Sequence, residues 1–525
     1  MLPRLLCAAV SALAAASPGA RFQPPVLPSP VSVSLSVNFS SPLFAVFDSY
    51  LSVNIDTGSL ANDLDLRSPV LRALLRTLVR GAPTQLRVGG GAADDTYFTG
   101  AGGARGACSV PAHPDVSICV DTSLWDELAD FCAATGARLV WDLNLALNRT
   151  SAEAPWYPDN SAALIAYAEA SGSSPFAWQL GNEPQDYYKR NPPLNLTGAR
   201  LAADYAMLRA LLSEHAGVSQ TIFGPDACCE ERHVPAGGML RNFSAAARGL
   251  GLGAITFHEY PLPRAENRSC VAAGYTNLTE IAAFLEAAIS TYAGYAAPAL
   301  SAGVPLVLGE TATTALGGCD ALSNRFVAGF TFMFTLAAAA TARVAQVNRQ
   351  DLVGWSSATT PSAYALLGAP GWARGALAPH PDYFLAVLWK QLVGAAVLDA
   401  AAAPARDGFD ARAWCAAGAA GGVVVAFVNA RADATAVGVP ARLAQLPRTE
   451  FVLTAPGGNL SADGALLNGR LLVANADGTL PQYPLPGSDA PPQPSFAAPP
   501  WSFGLVQWTG AQAQACAGGR VGRAL

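Results

Sequence analysis

Two glutamates in this 525-residue chain stand where apolar runs stop: Glu183 closes FAWQLGNE (176–183) and Glu310 closes PLVLGE (305–310). A charge placed directly after a buried strand must be paired or used, because burying it alone is expensive. A pair of carboxyl groups suits glycoside hydrolysis. One protonates the leaving oxygen, the other attacks the anomeric carbon, and in retaining enzymes they lie about 5–5.5 Å apart. This division of labour asks for a raised pKa on the acid and an ionised nucleophile, hence two different surroundings. It also predicts an acidic pH optimum. Asn182 is placed to hydrogen-bond the sugar hydroxyl beside the reacting carbon, and Pro184 fixes the turn that leaves the strand. Other apolar runs end in Asp56, Asn144, Asp226 and the triplet His258-Glu259-Tyr260. No cluster of His, Cys and carboxylates has metal-ligand spacing, so neither a metal nor a cofactor is expected.

Such side chains need a scaffold that gathers strand ends. Strand-like runs at 51–56, 85–90, 138–145, 176–183, 221–226, 254–260, 305–310 and 342–350 alternate with helix candidates such as 68–81 and 197–217. The alternation predicts a (β/α)8 TIM barrel over residues 49–394, whose chemistry sits at the C-terminal ends of the strands. Glu183 then closes strand four and Glu310 strand seven, across the mouth from each other. An open doubly wound sheet would carry a glycine-rich dinucleotide loop after its first strand. Arg87-Val88-Gly89-Gly90-Gly91 reads only as a glycine turn. The apolar run 326–342 is too short for a comfortable membrane span and reads as a buried barrel helix. From 395 to 525, short β runs separated by Gly, Pro, Asn and Asp predict an antiparallel β-sandwich. Residues 21–48 read as a linker and an alternating strand that joins this sandwich.

Hydrophobic residues make up 51% of the chain and charged residues 13%, ample material for a large core. The net charge is −6 and the only lysines are Lys189 and Lys390. No basic stripe marks a nucleic-acid binder, and a polysulfated polymer finds little global attraction. Residues 1–20 read as a secretory signal: Arg4, then the apolar stretch Leu5 to Ala16, ending in small residues. Seven N-x-S/T sequons follow, at Asn38, Asn148, Asn195, Asn242, Asn267, Asn277 and Asn459, as in a glycosylated secretory protein. The expected destination is outside the cell, or a lysosome or vacuole, with membrane association possible and no stable insertion. Of ten cysteines, Cys7 leaves with the signal, and the odd remainder leaves at least one thiol outside intrachain pairing. Adjacent Cys228 and Cys229 are expected to bond distant partners rather than each other.

The segments SYLSVNIDTGSL (49–60), LRTLVRGAPTQLRVGG (75–90), WQLGNEPQ (178–185), TFHEYPL (256–262), LGETATTALGG (308–318) and PDYFLAVLWKQLVG (381–394) are similar to those of one family. The chain resembles glycoside hydrolase family 79, the heparanase and β-glucuronidase family. The resemblance implies retaining cleavage of β-glucuronosyl linkages in glycans or proteoglycans by two glutamates. It makes Glu183 the acid/base, Asn182 its neighbour and Glu310 the nucleophile. It makes Asp56 a substrate contact, His258 a wall residue and Tyr260 a hydrogen-bond donor to the nucleophile. Gly317 and Gly318 would offer backbone N–H groups to the uronic-acid carboxylate, which Tyr364 would also contact. It pairs Cys415 with Cys516. Departures refine the substrate. Little room separates the glycine turn from Trp125, so a single unprocessed chain is expected; the chain is also expected to be a monomer. The stretch ACCEERHVPAGGML after Asp226 lacks a basic cluster, and Gly91 stands where the family offers a threonine. A terminal or weakly sulfated glucuronide fits better than heparan sulfate. An endo-acting heparanase and a non-catalytic glycan-binding relative are the alternatives, and the presence of both glutamates disfavours the latter.

Overall fold

The computed structural model describes residues 31–61, 64–189, 194–228, 238–262, 270–354, 362–368 and 377–517. The signal segment, Cys229 and Asn267 lie outside them. Eight parallel strands form the centre: Leu51–Asp56, Gln85–Gly89, Arg138–Leu143, Ala177–Leu180, Phe223–Cys228, Ala254–His258, Leu306–Thr311 and Gln346–Arg349. The eighth pairs back onto the first. The ring closes between the fourth and fifth, where the Trp178 N–H donates to the Thr221 carbonyl at 3.0 Å. This is the expected (β/α)8 barrel.

Local sequence sets the helix ends. Pro69–Gly81 begins on Ser68, whose hydroxyl accepts from the Leu71 N–H. Thr122–Thr135 begins on Asp121 and stops at Gly136, which takes φ +79°. The helix Ala328–Thr341 is buried on every face through Ala340. A helix apolar all round needs cover all round. Its inner side packs on the barrel, and its outer side meets the C-terminal sheet, where Phe330 lies edge-on to Phe503 at 5.1 Å. Pro381–Leu392 is covered likewise, with Trp389 edge-on to Trp414 at 5.1 Å. Among the described residues, no helix is long and apolar enough to cross a membrane.

The C-terminal β-sandwich is one continuous eleven-stranded sheet folded onto itself. Val31–Ala45 lies inside it, antiparallel to Val393–Ala403 and parallel to Thr435–Gly438. The fold-over brings Phe496 to 5.6 Å from Phe427 and 6.3 Å from Trp508. Val33, Leu35, Val437 and Val506 fill the same core. Disulfides join Cys108 to Cys119, Cys270 to Cys319 and Cys415 to Cys516. Cys132 is a buried thiol. Cys228 departs from the expected distant disulfide: its thiol faces the Glu183 carboxylate.

Candidate active site

The C-terminal strand ends surround a cleft of about 400 Å³, lined among others by Asp56, Asn182, Glu183, His258, Tyr260, Glu310 and Tyr364. Residues from strands one, four, six and seven thus meet in one place, together with Tyr364 from a later loop. Carboxylate oxygens of Glu183 and Glu310 and a ring nitrogen of His258 lie within 4.8 Å of one another. That approach suits a retaining pair, whose carboxyl groups lie about 5–5.5 Å apart, better than an inverting pair at about 6.5–9.5 Å.

Glu310 is gripped from two sides. The Tyr260 hydroxyl donates to Oε1 at 2.5 Å and Arg87 Nη1 donates to Oε2 at 2.9 Å. Arg87 stands upright inside the barrel on the second strand, 1% exposed. Its other donors reach Asp226 at 2.7 Å, the Asn182 side-chain oxygen at 2.8 Å and Gln179 at 2.9 Å. A guanidinium spreads five donors in a rigid fork, so one side chain serves both walls of the cleft. Burial opposes its charge, but Asp226, Glu310 and Asp142 outweigh that and hold it firmly protonated. A Cβ on Gly89 would come within 2.7 Å of the Arg87 guanidinium carbon, so glycine there makes room for it.

His258 sits between the two glutamates. Its Nδ1 is 3.0 Å from Glu183 and 3.8 Å from Glu310, and its Nε2 is 3.5 Å from Asp226. Burial alone would lower the imidazole pKa; Glu310, Asp226 and the contact with Glu183 push it up to about 10. The imidazolium acts back on Glu183. Burial raises the carboxyl pKa, but the His258 hydrogen bond and charge bring it below the ordinary value. The raised pKa expected of the acid is therefore not met in the free protein, because the neighbouring proton resides on His258. Asp56 goes the other way: burial, with a contribution from the Glu310 charge, lifts it to about 7. Its Oδ1 accepts from the Gly58 N–H at 2.8 Å.

The Tyr364 ring stacks on Tyr260 at 6.3 Å. Gly317 and Gly318 stand one step behind the wall, whose lining residues there are Ala315 and Leu316. The Gly317 carbonyl accepts from the Tyr364 N–H at 3.2 Å. Gly318 has φ +77°, and a Cβ on it would come to 3.0 Å from the Tyr364 nitrogen, so only glycine allows this approach. A side chain at Gly91 would meet open space. Glu183, His258 and Glu310 are close enough to share a cation, but a protonated His258 offers no ring lone pair to one.

Sequence reasoning missed Arg87, although a lone arginine in an otherwise apolar strand is the signal of an inward-facing ion network. It also missed Gln350 at the end of the eighth strand. That residue is 2% exposed and lines the cleft, and its buried Oε1 lacks a hydrogen-bond partner among the described residues. Buried polar atoms are normally satisfied, so such an atom is available to a ligand.

A barrel with two glutamates at this spacing on strands four and seven is a retaining-type glycoside hydrolase. Residues 49–336 match the glycosyl hydrolase family 79 N-terminal domain, and the chain belongs to that family. Heparanase of Gallus gallus is 29% identical over 406 residues, covering 76% of this chain and 72% of that protein. Baicalin-beta-D-glucuronidase of Scutellaria baicalensis is 24% identical, covering 85% of this chain and 84% of that protein. The solved 4-O-alpha-L-rhamnosyl-beta-D-glucuronidase of Fusarium oxysporum covers 90% of this chain and all of its own, with a TM-score of 0.67 at 15% identity, a likeness of fold.

Proposed function

We propose that this protein hydrolyses β-glucuronosyl linkages with retention of configuration, Glu183 acting as acid/base and Glu310 as nucleophile. The observation that carries the reading is the approach of their carboxylate oxygens to within 4.8 Å at the mouth of the barrel. Glu310 attacks the anomeric carbon while Glu183 gives its proton to the departing glycosidic oxygen, forming a glycosyl ester on Glu310. Glu183, now ionised, takes a proton from water, whose oxygen attacks the same carbon and frees Glu310. The Tyr260 and Arg87 hydrogen bonds keep Glu310 ionised and aimed. The proton that Glu183 delivers is stored in the free protein on His258, 3.0 Å away. Asp56 and Asn182 bind sugar hydroxyls, and Tyr364, with the Gly317-Gly318 turn behind Leu316, faces the uronic-acid carboxylate.

The glucuronide preference rests on the relatives named above. The lining supports a lightly charged substrate. Among the described residues its cations are Lys189, paired with Asp186, and His258, against Asp56, Glu183, Asp186, Glu259 and Glu310. Three disulfides, with the signal segment and sequons, support passage through the secretory pathway. The test is hydrolysis of 4-nitrophenyl β-D-glucuronide by the purified protein beside its Glu310→Gln variant. Turnover by the parent alone is expected. Turnover of the β-glucoside in preference to the β-glucuronide would overturn the substrate assignment.

A further inference from the structure

Glu183 lies just beyond the fourth strand with φ +48°, a backbone region that non-glycine residues rarely adopt. Outside the regular ladder, its carboxylate depends on lateral contacts for its aim. His258 supplies one, at 3.0 Å. The other comes from the adjacent strand. Cys228 ends the fifth strand in register with His258, is 1% exposed, and has its own N–H held by Gln185 Oε1 at 3.2 Å. Its sulfur, a Glu183 oxygen and an Asp186 oxygen lie within 4.8 Å of one another. Two carboxylates brought this close repel unless something donates between them.

Taking Glu183 as the acid/base, we propose that Cys228 is a positioning residue for it, its S–H donating to the Glu183 carboxylate and holding it against His258 despite the facing Asp186. A thiol is a weak donor without charge. It steadies the carboxylate without the strong stabilisation a second cation would bring, and so leaves Glu183 able to take up and release a proton. Burial raises the Glu183 pKa; His258 lowers it most, and the hydrogen bond from Cys228 adds to that lowering. Among the described residues, the other charged or titratable groups around Glu183 are Arg87, Glu310, Tyr260, Asp56, Glu259 and Asp186 with its partner Lys189.

The experiment compares parent, Cys228→Ala and Cys228→Ser by the pH profile of kcat/KM on 4-nitrophenyl β-D-glucuronide. Removing the donor favours the neutral carboxyl, so the alkaline limb of Cys228→Ala moves up by roughly half a pH unit. Its kcat falls several-fold with KM nearly unchanged, while the serine variant keeps the parent profile. Cys228→Val fills the volume without a donor and replaces the alanine variant should that fail to fold. A substrate-free reading runs alongside: the ¹³C carboxyl titration of Glu183, assigned by its loss in Glu183→Gln, shifts upward in Cys228→Ala and not in Cys228→Ser. Titrations that superimpose, or a serine variant displaced as far as alanine, would overturn the proposal. An inert parent counts against the hydrolase reading alone, and the titration still decides the role of Cys228.

Discussion

Arg87 Nη1 donates to Glu310 Oε2 at 2.9 Å from inside the barrel, so the proposed nucleophile rests on a cation that is itself only 1% exposed. The same guanidinium holds Asp226 and the Asn182 side chain, and links both sides of the cleft. Arg87→Met should leave buried carboxylates unpaired and cost about 3–5 kcal/mol of stability, read as a lower urea midpoint with activity lost. Arg87→Lys keeps the charge but not the fork, and should retain more stability than activity. A methionine variant as stable as the parent would show that the network is held some other way.

Tyr260 gives Glu310 its second hydrogen bond, at 2.5 Å. A hydrogen bond to a charged group contributes about 1.5–3 kcal/mol. Tyr260→Phe should therefore lower kcat by roughly 10–100-fold, with KM little altered, since the ring and its stacking on Tyr364 remain. Steady-state kinetics on the aryl glucuronide decide this. A change confined to KM would instead make Tyr260 a binding residue.

Asp56 carries a pH signature in stability. Its carboxyl titrates at about 7 in the folded protein, against an ordinary 3.8. Between these values the folded state holds a proton that the unfolded state has released, so this group's contribution falls as pH rises. Asp56→Asn removes that dependence. The Tm of the variant minus that of the parent should climb between about pH 4 and 7 and stay level on either side. A difference independent of pH would mean that Asp56 is not desolvated.

The Cys415–Cys516 bond closes a loop with a sequence separation of 101. The chain-entropy account gives a loop of that size about 4–5 kcal/mol. Cys415→Ser should lower Tm by several degrees under oxidising conditions and not in excess dithiothreitol, where both proteins are reduced. An unchanged Tm without reductant would show that the bond does not form in solution.

Much of this was legible in the sequence, and for physical reasons. Fully buried parallel strands are short apolar runs, and each chemical residue sits where such a run meets the barrel mouth, which is why Asp56, Glu183, His258 and Glu310 could be placed before any coordinates. What stayed hidden depends on long-range packing. Arg87 looked like part of a glycine turn because nothing local says that its side chain runs up the barrel axis. The pKa of Glu183 goes down because His258 arrives from another strand. The run 326–342 is legible as a buried barrel helix, but its outer cover is not, because it comes from Trp501 and Phe503, far along the chain. The antiparallel sandwich and the N-terminal strand that joins it were legible, but not that Val31–Ala45 pairs in parallel with Thr435–Gly438. The Cys108–Cys119 and Cys270–Cys319 pairs follow from loop geometry that spacing alone does not encode.

If Glu310 is the nucleophile, it carries the sugar during turnover. Incubation with 2-deoxy-2-fluoro-β-D-glucuronyl fluoride, followed by intact-protein mass spectrometry and peptide mapping, tests it directly. One fluoroglucuronosyl adduct per chain is expected, on the peptide that contains Glu310, and none on Glu310→Gln. A protein that turns over the aryl glucuronide yet forms no adduct, or bears it on Glu183, would rule out Glu310 as the nucleophile.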